Sequence, residues 1–355
     1  MKKSLTIANI KKIDKSAMLE VLLDFPRQCQ NAFDIGQRIE KLPEKKDFQK
    51  IIFAGVGGSA IGADLVRSYL YFKSRIPILV VREYDLPNFA DNQTLVFISS
   101  YSGNTVETLS AYAQAIQKGA SVIVISSGGK IKECAQRDNV TFVQVPLGLP
   151  PRYALGFLSI IPLCILGKLG VINDVEAAVS GVVKVLEELK ATNLNQHVGE
   201  KDNLAKYVAQ KIYNKFPVVY CASINFDVAA VRLRSQLNEN SKVLALSGCL
   251  PEMDHNEIVG WQNPKKLIKD FFVLMFRDNG IDARVNKRMD ITRDILRGAQ
   301  VKVLEISSRG EDLLSRIFSL IYIGDFISFY LAILYGIDPA PTERIDYLKQ
   351  ELARE

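Results

Sequence analysis

Histidine and tryptophan are nearly missing from this chain, with two His and one Trp among 355 residues. Two imidazoles, His197 and His255, cannot build a histidine-rich metal centre, which sets that class of metalloenzyme aside. Cysteine is sparse and unpaired in pattern: Cys29, Cys134, Cys164, Cys221 and Cys249 include no C-x-x-C. An odd, scattered set implies reduced thiols and a cytoplasmic location, not a disulfide framework. Concentrated positive charge is also absent. Lys and Arg number 45 against 39 Asp and Glu, a net charge of +6, but they occur in pairs such as Lys45-Lys46 and Lys265-Lys266. Nucleic-acid binding needs a stripe or a tail, so no nucleic-acid partner is expected. No apolar leader stretch follows Met1-Lys2-Lys3. Two runs look like membrane spans and fail as such. Residues 153–167 are too few and contain Pro162, and residues 317–335 carry Asp325 at their centre. Both are expected as buried helices of a large core, with no membrane partner.

What is present is a core-forming, strand-and-helix alternation, in a composition 48% hydrophobic and 24% charged. Helical spacing at Met18, Leu19, Leu22 and Leu23 is followed by Pro26 and a second helical run to Ile39. Strand-like runs then appear at 51–54, 78–81, 95–98 and 122–125, with helical segments between. Near-continuous apolar strands alternating with helices predict an α/β fold, a parallel sheet covered by helices on both faces. A polar stretch at 191–199 reads as a linker. The order restarts with a helix at 204–213, strands at 218–221, 271–276 and 301–306, and a long helix from Leu313. The expected organisation is a helical segment (1–45), a first domain (46–190), a second (200–335) and a C-terminal tail (336–355) that closes on the active site.

Two loops carry the chemistry. Gly55-Val-Gly57-Gly58-Ser59-Ala60-Ile-Gly62 joins a strand to a helix, where glycines admit a ligand close to the backbone and the helix start favours an anion. By spacing alone, Gly55, Gly57 and Ala60 also satisfy a dinucleotide fingerprint, with Glu83 as a ribose acceptor. The second loop is Ser99-Ser100-Tyr-Ser102-Gly103-Asn104-Thr105-Val-Glu107-Thr108. One helix cap needs a single hydroxyl, so this concentration of Ser and Thr points instead to a phosphomonoester surrounded by donors.

Gly57-Gly58-Ser59 followed by Ser100-Tyr-Ser102-Gly103-Asn104-Thr105-x-Glu107-Thr108 resembles the sugar isomerase (SIS) domain, a phosphosugar-binding fold. Pro150-Pro151-Arg152-Tyr-Ala-Leu-Gly156, Asn238-Glu239-Asn240-Ser241-Lys242, and His255-Asn256-Glu257-Ile258 with Trp261 resemble the bifunctional phosphoglucose/phosphomannose isomerases. These are members of the phosphoglucose isomerase superfamily with two SIS domains. The resemblance runs from about residue 15 to the C-terminus, in the family's order, and implies two SIS-type domains. It implies that Gly57, Gly58, Ser59, Ser100, Ser102 and Thr105 bind phosphate and that Arg152 stands beside the reacting carbons. Glu239 then matches the base that moves the proton, and His255 the ring-opening histidine. Thr342 and Lys349 match a threonine and a lysine seven apart, although Pro339-Ala340-Pro341 stands where relatives often have Pro-Thr-Pro. The resemblance implies a homodimer with shared active sites and a phosphosugar substrate, with no cofactor.

The implied reaction is aldose–ketose isomerisation of glucose- and mannose-6-phosphate to fructose-6-phosphate. The alternatives are an isomerase for a single aldose phosphate and a SIS regulator that binds without turnover. Such a regulator usually carries a DNA-binding module, and no basic helix-turn-helix precedes residue 50. An amino-sugar synthase would add a glutaminase domain, and a nicotinamide oxidoreductase would leave the Ser/Thr loop unexplained.

Overall fold

The computed structural model describes residues 4–44, 47–352 and 354; Met1-Lys2-Lys3 and the Lys45-Lys46 pair lie outside these. The chain opens with helices α1 (Ile7–Ile13), α2 (Met18–Leu23) and α3 (Phe25–Gln37). Strands and helices then alternate: β1 (Lys50–Ala54), α4 (Gly58–Leu70), β2 (Ile78–Val81), β3 (Thr94–Ser99), α5 (Val106–Gln117), β4 (Ser121–Ser126), α6 (Lys130–Arg137) and β5 (Thr141–Gln144). Helices α7 (Leu155–Lys168) and α8 (Val175–Leu189) lead to a second alternation. It comprises α9 (Leu204–Ile212), β6 (Phe216–Ala222), α10 (Asp227–Glu239), β7 (Leu246–Leu250), α11 (Lys265–Ile268), β8 (Phe271–Arg277), α12 (Ala283–Gly298) and β9 (Lys302–Ser307). The long α13 (Leu313–Tyr335) and the terminal α14 (Glu343–Leu352) follow.

Every strand pairing is parallel, as the apolar runs required. The first sheet has the order β2-β1-β3-β4-β5 and the second β7-β6-β8-β9. The second sheet is therefore wound like the first, without its last strand. This winding is the 2-1-3-4-5 order, not the 3-2-1-4-5-6 order in which dinucleotides are bound. In sheets of this kind a ligand sits outside the carboxyl ends of the strands where the winding reverses, here after β1 and β3.

The chain divides into two compact units, one of Asp24–Lys184 with Gly310–Ile317, the other of Met1–Leu23, Val185–Arg309 and Phe318–Glu355. The changes of unit fall after α2, inside α8, after β9 and inside α13, so the polar stretch 191–199 lies within the second unit. The initial helical segment is also split. α3 belongs with α7, where Gly36 leaves no room for a side chain against Cys164. α2 belongs to the other unit, where the Tyr322 hydroxyl donates to the Leu22 carbonyl at 2.9 Å. Amphipathic helices go where their apolar faces are covered, whatever their position in the chain.

Two strands escape the sequence pattern. β5 is short, and β7 falls where residues 247–261 look like an irregular loop. Ser247, Gly248 and Cys249 carry little strand preference, and β7 exists because β6 offers it a ladder in register Cys221↔Cys249. That register sets two thiols side by side, Sγ to Sγ 3.5 Å, although they are 28 residues apart in sequence. None of the five cysteines is in a disulfide. α13 is long and apolar enough to cross a membrane, yet its apolar window is wholly buried in the protein core.

Candidate active site

The glycine turn after β1 is built around Gly57, whose φ of +55° lies in the left-handed region that glycine tolerates. Gly58 opens α4 against the backbone of Pro151 and Arg152; a Cβ there would stand 2.8 Å from the Arg152 Cα. Glycine is thus what lets the Arg152 segment lie directly on the turn. Arg152 occupies a short 3-10 turn, is 7% exposed, and has its guanidinium 5.3 Å from the Tyr153 ring centre. A guanidinium enclosed in this way has few positions open to it.

The hydroxyl loop after β3 folds over the same turn. Ser59 Oγ accepts from the Tyr101 N–H at 3.3 Å. Ser100 Oγ donates to Thr105 Oγ1 at 3.0 Å and accepts from the Gly103 N–H at 3.1 Å. Gly103, at φ +72°, lies against the Gly128 carbonyl of the loop after β4. Tyr101 is the post of this loop: its hydroxyl donates to the Pro146 carbonyl at 2.8 Å and accepts from the Leu149 N–H at 3.0 Å. Thr105 precedes α5 yet makes no side-chain cap, and α4 has none either. The first N–H groups of both helices are therefore uncapped by side chains, beside Ser59, Ser100, Ser102 and Thr105. Helix starts of this kind favour an anion. Gly57, Gly58, Ser59, Ser100, Ser102, Thr105 and Arg152 all fall on this unit, as does Glu83, an exposed residue after β2.

The remaining expected residues lie on the other unit. Glu239, half-buried, ends α10 and lines a cavity of about 830 Å³ with Asn238, Lys242, Leu244, Pro341 and Thr342. Lys349 and His255 are not among that cavity's walls. Lys349 is exposed on α14. His255 is exposed and closes a 3-10 turn between two anchored carboxylates. Asp254 accepts from Thr292 Oγ1 at 2.9 Å and faces Arg288 at 3.6 Å. Glu257 accepts from the Tyr220 hydroxyl at 2.5 Å, and that hydroxyl accepts from Trp261 Nε1 at 3.0 Å. Burial and the adjacent Glu257 carboxylate push the Tyr220 phenol far up, so it stays a donor.

Glu239 and His255 of one chain belong to opposite faces of the second sheet. The β6–α10–β7 crossover moves one way across the sheet, and the β7-to-β8 connection moves the other. Crossovers of one hand that move in opposite directions cover opposite faces. Met253 and Trp261 accordingly pack with Val218, Tyr220 and the α12 residue Met289 in one cluster, on the face away from α10.

A model of the bacterial phospho-glucose isomerase C-terminal SIS domain matches residues 201–352. A bifunctional phosphoglucose/phosphomannose isomerase of Caldicellulosiruptor bescii is 44% identical over 337 residues, covering 95% of this chain and 99% of that protein. The chain belongs to the bifunctional phosphoglucose/phosphomannose isomerase family. A second member, from Aquifex aeolicus, is 38% identical over 308 residues, 86% of this chain and 91% of its own. Among solved structures, a hypothetical protein of Thermus thermophilus aligns with a TM-score of 0.76 at 14% identity, covering 98% of this chain and 92% of that one. That likeness speaks for the two-sheet SIS fold.

Sequence reasoning missed the residues that hold this family's motifs in place. Gln28, on α3, donates through Nε2 to the Tyr153 carbonyl at 2.8 Å and accepts through Oε1 from the Gly156 N–H at 2.8 Å. It clamps the turn that carries Arg152. A lone amide inside the apolar face of a helix was the available signal. Lys242 lies inside a quoted motif, but its role depends on contacts with residues 339–341 that no local pattern shows.

Proposed function

We propose that this chain interconverts glucose-6-phosphate and mannose-6-phosphate with fructose-6-phosphate through a cis-enediolate. The observation that carries the reading is the full-length likeness to bifunctional phosphoglucose/phosphomannose isomerases, in a chain whose two anion-favouring loops sit at a winding reversal. The phosphate is held by the first turns of α4 and α5 with Ser59, Ser100, Ser102 and Thr105. Binding energy from that remote end orients the reacting end. His255 moves a proton between the anomeric hydroxyl and the ring oxygen, with Lys349 assisting at that oxygen. Glu239 takes the proton from the carbon beside the carbonyl and returns it to the neighbouring carbon. Arg152, already fixed and nearly buried, stabilises the oxygen on which the enediolate's negative charge develops.

The partner is a second copy of the chain, and His255 serves the Glu239 of that copy. Two facts support this. The sheet of its own unit separates the Glu239 helix from the His255 turn. The tail helix α14 also leaves Ile345, Leu348 and Leu352 exposed at helical spacing, an apolar stripe of the kind that marks an interface. In the cytoplasm, where the five thiols stay reduced, the tail 336–355 closes on the site through Thr342 and Lys349.

The deciding experiment incubates the purified protein with each aldose phosphate and measures fructose-6-phosphate. Turnover of both is expected. Turnover of one alone leaves a single-substrate isomerase, and binding without turnover leaves a phosphosugar sensor.

A further inference from the structure

Lys242 follows the last turn of α10, and the mechanism above makes no use of it. Its φ is +56°, in the left-handed region, which a residue with a Cβ enters only where its surroundings hold it there. The turn that ends α10 is closed there by the Val243 N–H, which donates to the Leu237 carbonyl at 3.1 Å. Lys242 Nζ donates to the Glu239 carbonyl at 2.6 Å, to the Pro341 carbonyl at 2.7 Å and, more weakly, to the Pro339 carbonyl at 3.4 Å. An ammonium has three N–H donors, and here three main-chain oxygens accept from it. The Glu239 carbonyl ends α10, where the helix dipole is negative, so the cation also suits its place electrostatically.

These contacts join two parts of the site. One accepting carbonyl belongs to Glu239 itself. The other two flank Ala340, in the turn immediately before Thr342. Glu239, Lys242, Pro341 and Thr342 line the same cavity. The side chain of Lys242 therefore sets how far the Thr342 turn stands from the end of α10.

We propose that Lys242 is a positioning residue that fixes Thr342 relative to the Glu239 carboxylate, and that it thereby sets the ratio in which the two aldose phosphates are turned over. The proposal rests on the reading of Glu239 as the proton carrier. Glucose- and mannose-6-phosphate share one enediolate and differ in which face of carbon 2 receives the proton. Reaching both faces requires rotation about the bond between carbons 2 and 3, next to the base. Displacement of a neighbouring wall by about 1 Å can change a rate by as much as 10²-fold. It need not change both aldoses equally.

The test is steady-state kinetics of Lys242→Met and Lys242→Arg with each aldose phosphate. Methionine keeps the stem and removes every donor. Its kcat is expected to fall about tenfold, as for loss of a charged hydrogen bond. KM should stay within about twofold, because the phosphate loops are on other elements. The mannose-to-glucose ratio of kcat/KM should shift by about threefold or more. Arginine keeps the charge without the three-point fit and should shift the ratio the same way by a smaller factor. If the Met variant does not fold, the Arg variant decides alone. A ratio unchanged from wild type in the folded variants overturns the proposal, even if kcat falls, because a merely structural role would slow both substrates alike. Glu239→Gln is measured alongside. Turnover surviving in Glu239→Gln removes the underlying base assignment. A dead Glu239→Gln with an unshifted ratio at Lys242 removes this inference alone.

Discussion

Arg232 on α10 and Asp325 at the centre of α13 meet as a two-point ion pair, Nε to Oδ1 2.9 Å and Nη2 to Oδ2 2.8 Å, with both side chains only 3% exposed. Gln236, one turn further along α10, donates to the same Oδ1 at 3.1 Å. Beyond it Asn240 Nδ2 donates to Ser328 Oγ at 2.9 Å, and Ser241 Oγ donates to the Ser328 carbonyl at 2.6 Å. A ladder of polar contacts therefore runs along α10 up to Glu239 and past it, and it fixes the helix that ends in Glu239. The acid that made residues 317–335 a poor membrane span is the anchor of this ladder.

Removing one member of a buried pair strands the other charge. Asp325→Ala should lower stability by about 3–5 kcal/mol in urea unfolding, whereas joint replacement of Arg232 by Met and Asp325 by Leu should recover most of that. A double variant as unstable as the single one would mean that the ladder's geometry, not charge compensation, is what the core requires.

The hydroxyl loop should be measurable without turnover. On the proposed phosphate reading, Ser102→Ala and Thr105→Ala each remove a donor to a dianion, worth about 1.5–3 kcal/mol. Both variants should bind inorganic phosphate and 6-phosphosugars roughly tenfold or more weakly, read by competitive inhibition or calorimetry. Unchanged phosphate inhibition in both would move the anion site elsewhere.

The proposed sharing of a site between two copies can be tested by complementation. Glu239→Gln and His255→Ala should each be inactive, and a heterodimer of the two should recover about half of wild-type turnover, since one of its two sites receives both groups intact. A heterodimer as inactive as its parents would place His255 and Glu239 in the service of a single chain.

Acid stability should depend on Asp138. Arg137 donates to both of its oxygens at 2.8 Å and the Tyr112 hydroxyl to one at 2.7 Å. Chiefly through Arg137, then Tyr112, the carboxyl is held down at about 2 from its ordinary 3.8. Between those two values the unfolded chain binds the proton and the folded one does not, so stability rises with pH across the window. The contribution is complete above pH 3.8 and is lost as pH falls towards 2. Asp138→Asn should flatten the urea-midpoint profile in that window. An unaltered slope would assign the acid sensitivity to other carboxylates.

The two loops at the strand ends, the parallel sheets and the buried nature of both long apolar runs were legible in the sequence, because each depends on neighbours within a few residues. Period, glycine at a turn and hydroxyls at a helix start are local properties, and Gly57, Ser100 and Thr105 stand where those properties place them. β7 was illegible for the opposite reason: Leu246–Leu250 forms a strand because β6 offers it partners. The pairing of Cys221 with Cys249, the Arg232–Asp325 lock, the Gln28 clamp and the Lys242 bridge join residues brought together by the winding of the sheets. So does the placing of Glu239 and His255 on opposite faces of one sheet. Local sequence determined where the glycine turn and the hydroxyl loop stand. Tertiary structure decided what holds them, since a hydrogen bond across many intervening residues leaves no periodic trace in the chain.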